Sequence, residues 1–395
     1  MKILHTIPYF LPARVFGGPV YATYYLCREL IKRGHEVVVF TTNILSPAKI
    51  QKDFRRKELI DGILVRRFGI SAKFMSYYIT PSMLYKMLAE RADIIHTHGY
   101  RNFQVDASAI YSFLKRTPLV LHPRGMAIPT AGIERGSRVG NIIYRAYDLA
   151  TMQFSLRKAN KIIATTRYEK RLLSQLNFLK EKIEVVPHGV DVEKFKRDEG
   201  EGQQFRERYH IEGKILLYVG RIDKGKNIEA LLRAARAIKE KISIVIVGEE
   251  VPSTQIRISS FKDILAKYSK KLGLGNVIFT GGLYGEDLIA AYSAADIFVN
   301  PSMSKAENFG MVNLEAAACS LPVVAASVGV APDLLRDNRE LLFTSERELV
   351  EILSRLLEDE DLCKKIGKEL RRKVEMEYSW SEVAENVEKI YRGLF

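Results

Sequence analysis

Apolar positions along this chain fall into two alternating patterns. Short apolar runs recur at 37–41, 93–97, 119–121, 161–164 and 183–186. Between them, the apolar residues of 20–33 and 137–159 return every three or four positions, the spacing of a helix with one buried face. The second half repeats the scheme, with runs at 214–219, 243–247, 276–280, 296–299 and 322–326. The opening stretch, MKILHTIPYFLPAR, reads as one more strand and a loop, because His5, Pro8 and Pro12 break it and no cleavage site follows. Continuous apolar strands alternating with helices imply parallel sheets covered on both faces. Two series of similar size imply an α/β chain with two Rossmann-like domains.

The break between the series falls after Pro187-His188-Gly189-Val190-Asp191, and the charged run 193–204 has the composition of a linker. The expected domains are therefore 1–192 and 193–379. An amphipathic helix in 380–395 follows a Tyr378-Ser379 break and is expected to return to the first domain. In open parallel sheets, ligands bind outside the carboxyl ends of the strands. Two such sheets face to face would hold a ligand between them.

Composition changes this picture little. A chain of 395 residues is too long for one ordinary core, and 47% apolar with 27% charged residues is that of a globular protein. No run approaches the roughly 20 apolar residues that a membrane span needs. Cys27, Cys319 and Cys363 are far apart, as reduced thiols in a cytoplasmic protein would be. The net charge of +14 favours an acidic partner, whether phosphates or an anionic membrane face; a Lys/Glu/Arg-rich surface of a heat-adapted protein explains it equally. No zinc finger, helix-turn-helix or aromatic RNA-binding signature accompanies the charge, so nucleic acid is not an expected partner.

Candidate chemistry concentrates in 300–322, NPSMSKAENFGMVNLEAAACSLP. Glu307 and Glu315 stand eight positions apart, astride the start of a helix. Glu315 has almost wholly apolar helix neighbours, where a carboxylate needs a hydrogen-bond partner. The first N–H groups of that helix, at Phe309, Gly310, Met311 and Val312, form a natural anion site. Taken singly, either glutamate is explained as well by the helix dipole or by a structural ion pair. Upstream, a strand ends at Gly220, and Arg221 and Lys226 flank the loop that follows, a fork and a point charge suited to a diphosphate or simply a solvated basic loop. Gly17-Gly18-Pro19 opens the first helix, as a phosphate loop or a tight turn would. His96-Thr97-His98 places two imidazoles on one strand face, with no third metal ligand nearby in sequence. His122-Pro123-Arg124-Gly125 follows another strand and begins an irregular stretch, 126–136, of the kind that forms an acceptor loop.

Together these residues resemble the retaining glycosyltransferases of family 4, which have the GT-B fold. The landmarks are Gly17-Gly18, VVPHGVD, GRIDKGKN, YSAADIFVNPS, ENFGMVNLEAAACSLPVV and the final YSW, and they span nearly the whole chain. The resemblance implies transfer of a sugar from a nucleotide-sugar donor to a saccharide or lipid-linked acceptor, with retention at the anomeric carbon and without metal or other cofactor. It implies that Arg221 and Lys226 hold the diphosphate and stabilise its departure. Glu307 is matched to the carboxylate that binds the donor sugar, and Glu315 to the one that binds the ribose diol. Gly220, Asn308, Phe309, Gly310, Met311 and Val312 are matched to the donor pocket, Gly17 and Gly18 to positions near the phosphates, and His122 to a histidine near sugar and acceptor. The family explains retention by front-face attack, with the leaving phosphate taking the acceptor proton, so no protein base is assigned. Pro123-Arg124-Gly125 after His122, and Ser320-Leu321 before the Pro-Val strand, depart from the family pattern.

Two other classes compete. A nucleotide-sugar epimerase of the same architecture would convert donor without acceptor, and an anion-binding protein would use the charge alone. Residues 74–86 and 138–158 mix aromatic, aliphatic and basic side chains, as would ordinary core helices with basic outer faces or segments lying peripherally on an anionic membrane.

Overall fold

Every apolar run singled out above coincides with a strand to within one residue. The computed structural model describes residues 1–74, 77–124, 147–148, 151, 153–250, 260–303 and 309–395. The chain divides into two units, Met1–Gly189 with Trp380–Phe395, and Val190–Ser379.

The strands of the first unit are β1 (Lys2–Thr6), β2 (Glu36–Thr42), β3 (Ile44–Ser46), β4 (Lys49–Ile50), β5 (Lys57–Ile60), β6 (Ile63–Phe68), β7 (Ala72–Phe74), β8 (Tyr77–Ile79), β9 (Ile94–His98), β10 (Leu119–His122), β11 (Lys161–Ala164) and β12 (Ile183–Val185). Eight of them form one sheet in the order β12-β11-β10-β9-β1-β2-β6-β5, while β3-β4 and β7-β8 are separate two-stranded ribbons. Seven strands run parallel, but β5 pairs antiparallel with β6 at the edge. The expected parallel sheet thus carries one antiparallel strand at its edge. Asp61 and Gly62 both have positive φ, 47° and 83°, and join the two strands as a two-residue hairpin. Asp-Gly is the pair that such a turn selects, because both positions need left-handed backbone.

The first helix, Gly18–Lys32, carries Pro19 in its first turn and ends at Gly34, whose φ of 84° is that of a C′ glycine. The last helix, Trp380–Arg392, belongs to the first unit and buries Trp380, Val383, Ala384, Val387 and Tyr391. Arg33 donates to Glu385 at 3.1 Å and to Glu388 at 3.3 Å, and Tyr391 meets His96 at 2.5 Å. Of the helical stretch expected at 137–159, Gln153–Lys158 is a helix, and most of the rest lies outside the described residues, as does 126–136.

The second unit holds β13 (Lys214–Val219), β14 (Ile242–Val247), β15 (Val277–Gly281), β16 (Ile297–Asn300), β17 (Val323–Ala326) and β18 (Leu342–Phe343), all parallel, in the order β15-β14-β13-β16-β17-β18. The charged run read as a linker is in large part a helix, Glu199–Arg208. Asp198 accepts from the Glu201 N–H at 3.0 Å, and acidic residues at its start with basic ones at its end match the helix dipole. Phe205 is buried, and Arg206 donates to the Ala294 carbonyl at 2.6 Å and to Asp296 at 2.9 Å. One buried apolar side chain in a polar helix is too weak a periodic signal to find by spacing.

Candidate functional site

In the second unit, β13 lies between β14 and β16, so the chain leaves it toward one edge and returns to β16 on the other side. This reversal of strand order opens a crevice outside the carboxyl ends of β13 and β16, where doubly wound sheets take ligands. Both sequence-predicted loops leave from these two strands.

The loop after β13 is held tightly. The Gly220 N–H donates to the Val247 carbonyl at 3.0 Å, and a Cβ on Gly248 would lie 1.8 Å from the Gly220 oxygen. The strand ends therefore approach more closely than any side chain at Gly248 permits. Arg221 follows on the surface, with its guanidinium 3.7 Å from Asp223. Asp223 accepts from the Gly225 N–H at 2.9 Å and caps a short turn, Lys224–Lys226, after which Asn227 adopts left-handed backbone with φ 54°. Lys226 thus sits at the loop's far end, immediately before the helix Ile228–Ala237.

Two hydrogen bonds join this loop to the stretch after β16. Asn227 Nδ2 donates to the Pro301 carbonyl at 3.3 Å, and Ser302 Oγ donates to the Gly225 carbonyl at 3.4 Å. Further along, Asn300 Nδ2 donates to Asn313 Oδ1 at 3.1 Å, which ties the end of β16 to the helix Met311–Ala318. Gly310 enters that helix with φ 84°, and a Cβ there would meet Asn313 Nδ2 at 2.8 Å. Phe309 is buried, and its carbonyl accepts from the Val330 N–H at 2.8 Å. Phe309, Gly310, Met311 and Val312 are thereby fixed at a helix start beside the Arg221–Lys226 loop. Glu307 and Asn308 lie outside the described residues.

Glu315 accepts a hydrogen bond from the Tyr292 hydroxyl at 2.9 Å. Burial raises its carboxyl pKa, while the Tyr292 bond and the nearby Lys194 charge lower it. Burial, then the Glu315 charge, pushes the Tyr292 phenol well above its ordinary value. Spacing did not reveal the hydrogen bonds that Tyr292, Asn300 and Asn313 make within this candidate site. Tyr292 stands in the YSAAD motif, but nothing in sequence says that it reaches Glu315, 23 positions away. The aspartate of that motif, Asp296, accepts from the Ile215 N–H at 2.7 Å and so anchors β13.

The first unit has its own reversal, since β1 lies between β2 and β9. Gly17 precedes the first helix with φ 65°, and open space surrounds the position of a Cβ. His122 ends β10, buried, with neither ring nitrogen hydrogen-bonded. It has company: the parallel register sets His5 beside His96 and His98 beside His122, all on one sheet face, and the His188 ring lies 5.5 Å from that of His122. Five of the chain's seven histidines are thus gathered here. Burial lowers the pKa of all five, with Arg124 and neighbouring imidazoles adding to the effect.

The structure supplies the third histidine that sequence lacked, because His5, His96 and His98 bring ring nitrogens within 4.8 Å of one another. The hydrogen bonds assign them otherwise. Arg124 Nη2 lies 3.0 Å from His98 Nδ1, and a guanidinium only donates, so Nδ1 is an acceptor. The proton of neutral His98 is then on Nε2, which donates to His5 Nδ1 at 2.8 Å. A nitrogen carrying a proton is not a metal ligand, so this hydrogen-bonded arrangement leaves His98 Nε2 unavailable.

Comparison with known proteins places these features. The family described as "Glycosyl transferases group 1" matches residues 202–373, and that described as "Glycosyltransferase Family 4" matches 16–194. An uncharacterized glycosyltransferase of Methanocaldococcus jannaschii, MJ1607, is 25% identical over 399 residues, covering 96% of this chain and 95% of its own. The D-inositol 3-phosphate glycosyltransferase of Nocardia farcinica is 26% identical over 411 residues, covering 98% and 87%. Among solved structures, Anabaena Alr3699/HepE in complex with UDP and glucose superposes with a TM-score of 0.75 at 21% identity, covering 100% of both chains. Its likeness establishes the fold, GT-B. With both family matches falling on successive halves and the fold agreeing throughout, this chain belongs to the glycosyltransferases of family 4.

Proposed function

We propose that this glycosyltransferase moves a hexosyl group from a nucleoside-diphosphate sugar to a saccharide or lipid-linked acceptor, with retention and without a metal. The carrying observation is the junction in the second unit, where the Arg221–Lys226 loop is hydrogen-bonded to Pro301 and Ser302 beside the helix that bears Glu315. A diphosphate there meets two cations and a helix N-terminus, and a diol meets a carboxylate already oriented by Tyr292. Relatives and structural neighbours point the same way: one mannosyltransferase relative is named as GDP-mannose-dependent, and Alr3699/HepE is described with UDP-glucose.

In this reading, Arg221 and Lys226 stabilise charge on the departing diphosphate, and Glu315 holds the ribose. Glu307 binds hydroxyls of the transferred sugar, supported by donor contacts at Gly220, Asn308 and Phe309 through Val312. For Gly17, Gly18 and His122 of the first unit, the family resemblance alone supports roles toward phosphate and acceptor. The leaving phosphate takes the acceptor proton as the new glycosidic bond forms on the same face, so no side chain acts as base. Glu307→Ala should abolish transfer while a nucleoside diphosphate still binds. Unchanged turnover in that variant would remove Glu307 from the mechanism, and conversion of donor without acceptor would favour an epimerase.

The same reading places the enzyme in the cytoplasm, peripheral to a membrane, in cell-surface glycan or glycolipid synthesis. No helix among the described residues is long and apolar enough to cross a membrane. Support for a surface contact comes from the helix Phe103–Lys115, where Ile110, Phe113 and Leu114 are exposed and the Lys158 ammonium lies 4.4 Å over the Phe113 ring. Apolar and basic side chains side by side fit an anionic lipid face. Flotation with anionic but not neutral vesicles, lost at high salt, is the expected result.

A further inference from the structure

Arg124 is a buried cation whose charge the described residues do not balance. The residue is only 3% exposed. Nη2 donates to Thr23 Oγ1 at 2.8 Å and reaches His98 Nδ1, while Nε and Nη1 are buried without a hydrogen-bond partner. The carboxylate that acts on it, Glu169, is taken up by the Thr165 N–H and hydroxyl, both at 2.7 Å, and makes no ion pair with Arg124. Burial pulls the guanidinium down to about 10, which leaves it charged at neutral pH. An uncompensated buried charge is among the most destabilising features a fold can carry.

The rest of the neighbourhood is neutral and offers further hydrogen bonds. His122, two residues before Arg124, has both ring nitrogens buried and unpartnered, and one of them must carry a proton. Thr23 donates to the Pro19 carbonyl at 2.9 Å, so it holds Arg124 only as an acceptor and adds no negative charge. The place in the fold is also that of a ligand. His98 and His122 end neighbouring strands β9 and β10, next to the reversal at β1 where a doubly wound sheet opens. A cation is disfavoured here by the guanidinium itself; an anion with several acceptor oxygens satisfies both the charge and the open N–H groups.

We propose that Arg124 and His122 form a phosphoryl-binding site in the first unit, separate in sequence from the diphosphate loop Arg221–Lys226. The phosphoryl group is that of a phosphorylated saccharide, and only its role as acceptor rests on the transferase reading.

The test uses the full chain and thermal unfolding followed by Trp380, the single tryptophan, which belongs to the first unit. Inorganic phosphate, a hexose 6-phosphate and uridine diphosphate are each compared with sodium chloride at equal ionic strength. At roughly ten times Kd, a phosphoryl compound should raise the midpoint by about 3–6 °C. The shift should vanish in Arg124→Gln, and that variant without ligand should be no less stable than the parent, since it loses an unbalanced charge. A shift with hexose phosphate that survives in Arg221→Ala/Lys226→Ala supports the proposal; a shift with the diphosphate alone overturns it. Loss of diphosphate binding in the double variant tests the donor reading separately. Should Arg124→Gln not fold, hydrogen exchange of the parent gives the answer, with protection by hexose phosphate expected at 17–25 and 119–124. No shift beyond chloride, a shift unchanged in Arg124→Gln, or no protection in those segments overturns the proposal.

Discussion

Mild acid should unfold the first unit while the histidines are the only abundant groups titrating. His5, His96, His98, His122 and His188 are buried there, and burial holds each imidazole below its ordinary value, His5 down to about 3. The folded unit therefore keeps them neutral where the unfolded chain binds protons. Their stabilisation is fully present above the unfolded value of 6.5 and is lost as pH falls below it. At pH 5.5 each contributes a loss of about 1.4 kcal/mol relative to pH 7.5, so five give about 7 kcal/mol. That equals the whole stability of many domains. Asp106, whose carboxyl burial raises in the same unit, shifts the balance in the opposite direction. Trp380 is buried in this unit and stacks on Tyr25 at 5.6 Å between ring centroids, so its emission reports the event. Urea unfolding at pH 7.5, 6.5 and 5.5 should show the midpoint of this emission collapsing across the series. A stability constant to within about 1 kcal/mol, or five histidine proton resonances titrating near 6.5, would refute the reasoning.

Other perturbations have equally definite outcomes. Tyr292→Phe removes the donor to Glu315 and should cost the second unit about 1–3 kcal/mol, seen in denaturant unfolding, and weaken nucleotide binding most at low pH, where Glu315 protonates more readily. Gly248→Ala drives a methyl into the Gly220 carbonyl and should destabilise by roughly 3 kcal/mol, with loss of donor binding in calorimetry because the Arg221 loop shifts. Asp198→Ala removes a helix cap and should cost about 1 kcal/mol with transfer activity at saturating substrate intact.

Architecture was legible from the apolar runs because a parallel strand buried on both faces must be apolar throughout. The reversal points were not, since strand order depends on which neighbours pair, and no local pattern records that. The Asp61-Gly62 hairpin is written in the sequence as a turn pair, but its edge strand lies among alternating elements that mask it. The helix Glu199–Arg208 was hidden by its charge, because a helix that buries a single Phe205 looks like a linker until the Ala294 carbonyl and Asp296 receive Arg206.

The family motifs drew attention to Arg221, Lys226, Glu307, Glu315 and His122 because ligand chemistry restricts residue types at fixed spacing. Sequence alone thus determined two Rossmann-like units, the family, and the loops that carry candidate chemistry. Tertiary structure decided that the loops of Arg221–Lys226 and Pro301–Ser302 are bound together, that Tyr292 orients Glu315, and that five histidines face one another around Arg124. The physical reason is distance along the chain. Contacts such as His5 with His98, 93 positions apart, or His96 with Tyr391, 295 apart, arise from sheet register and helix return, which no window of sequence contains.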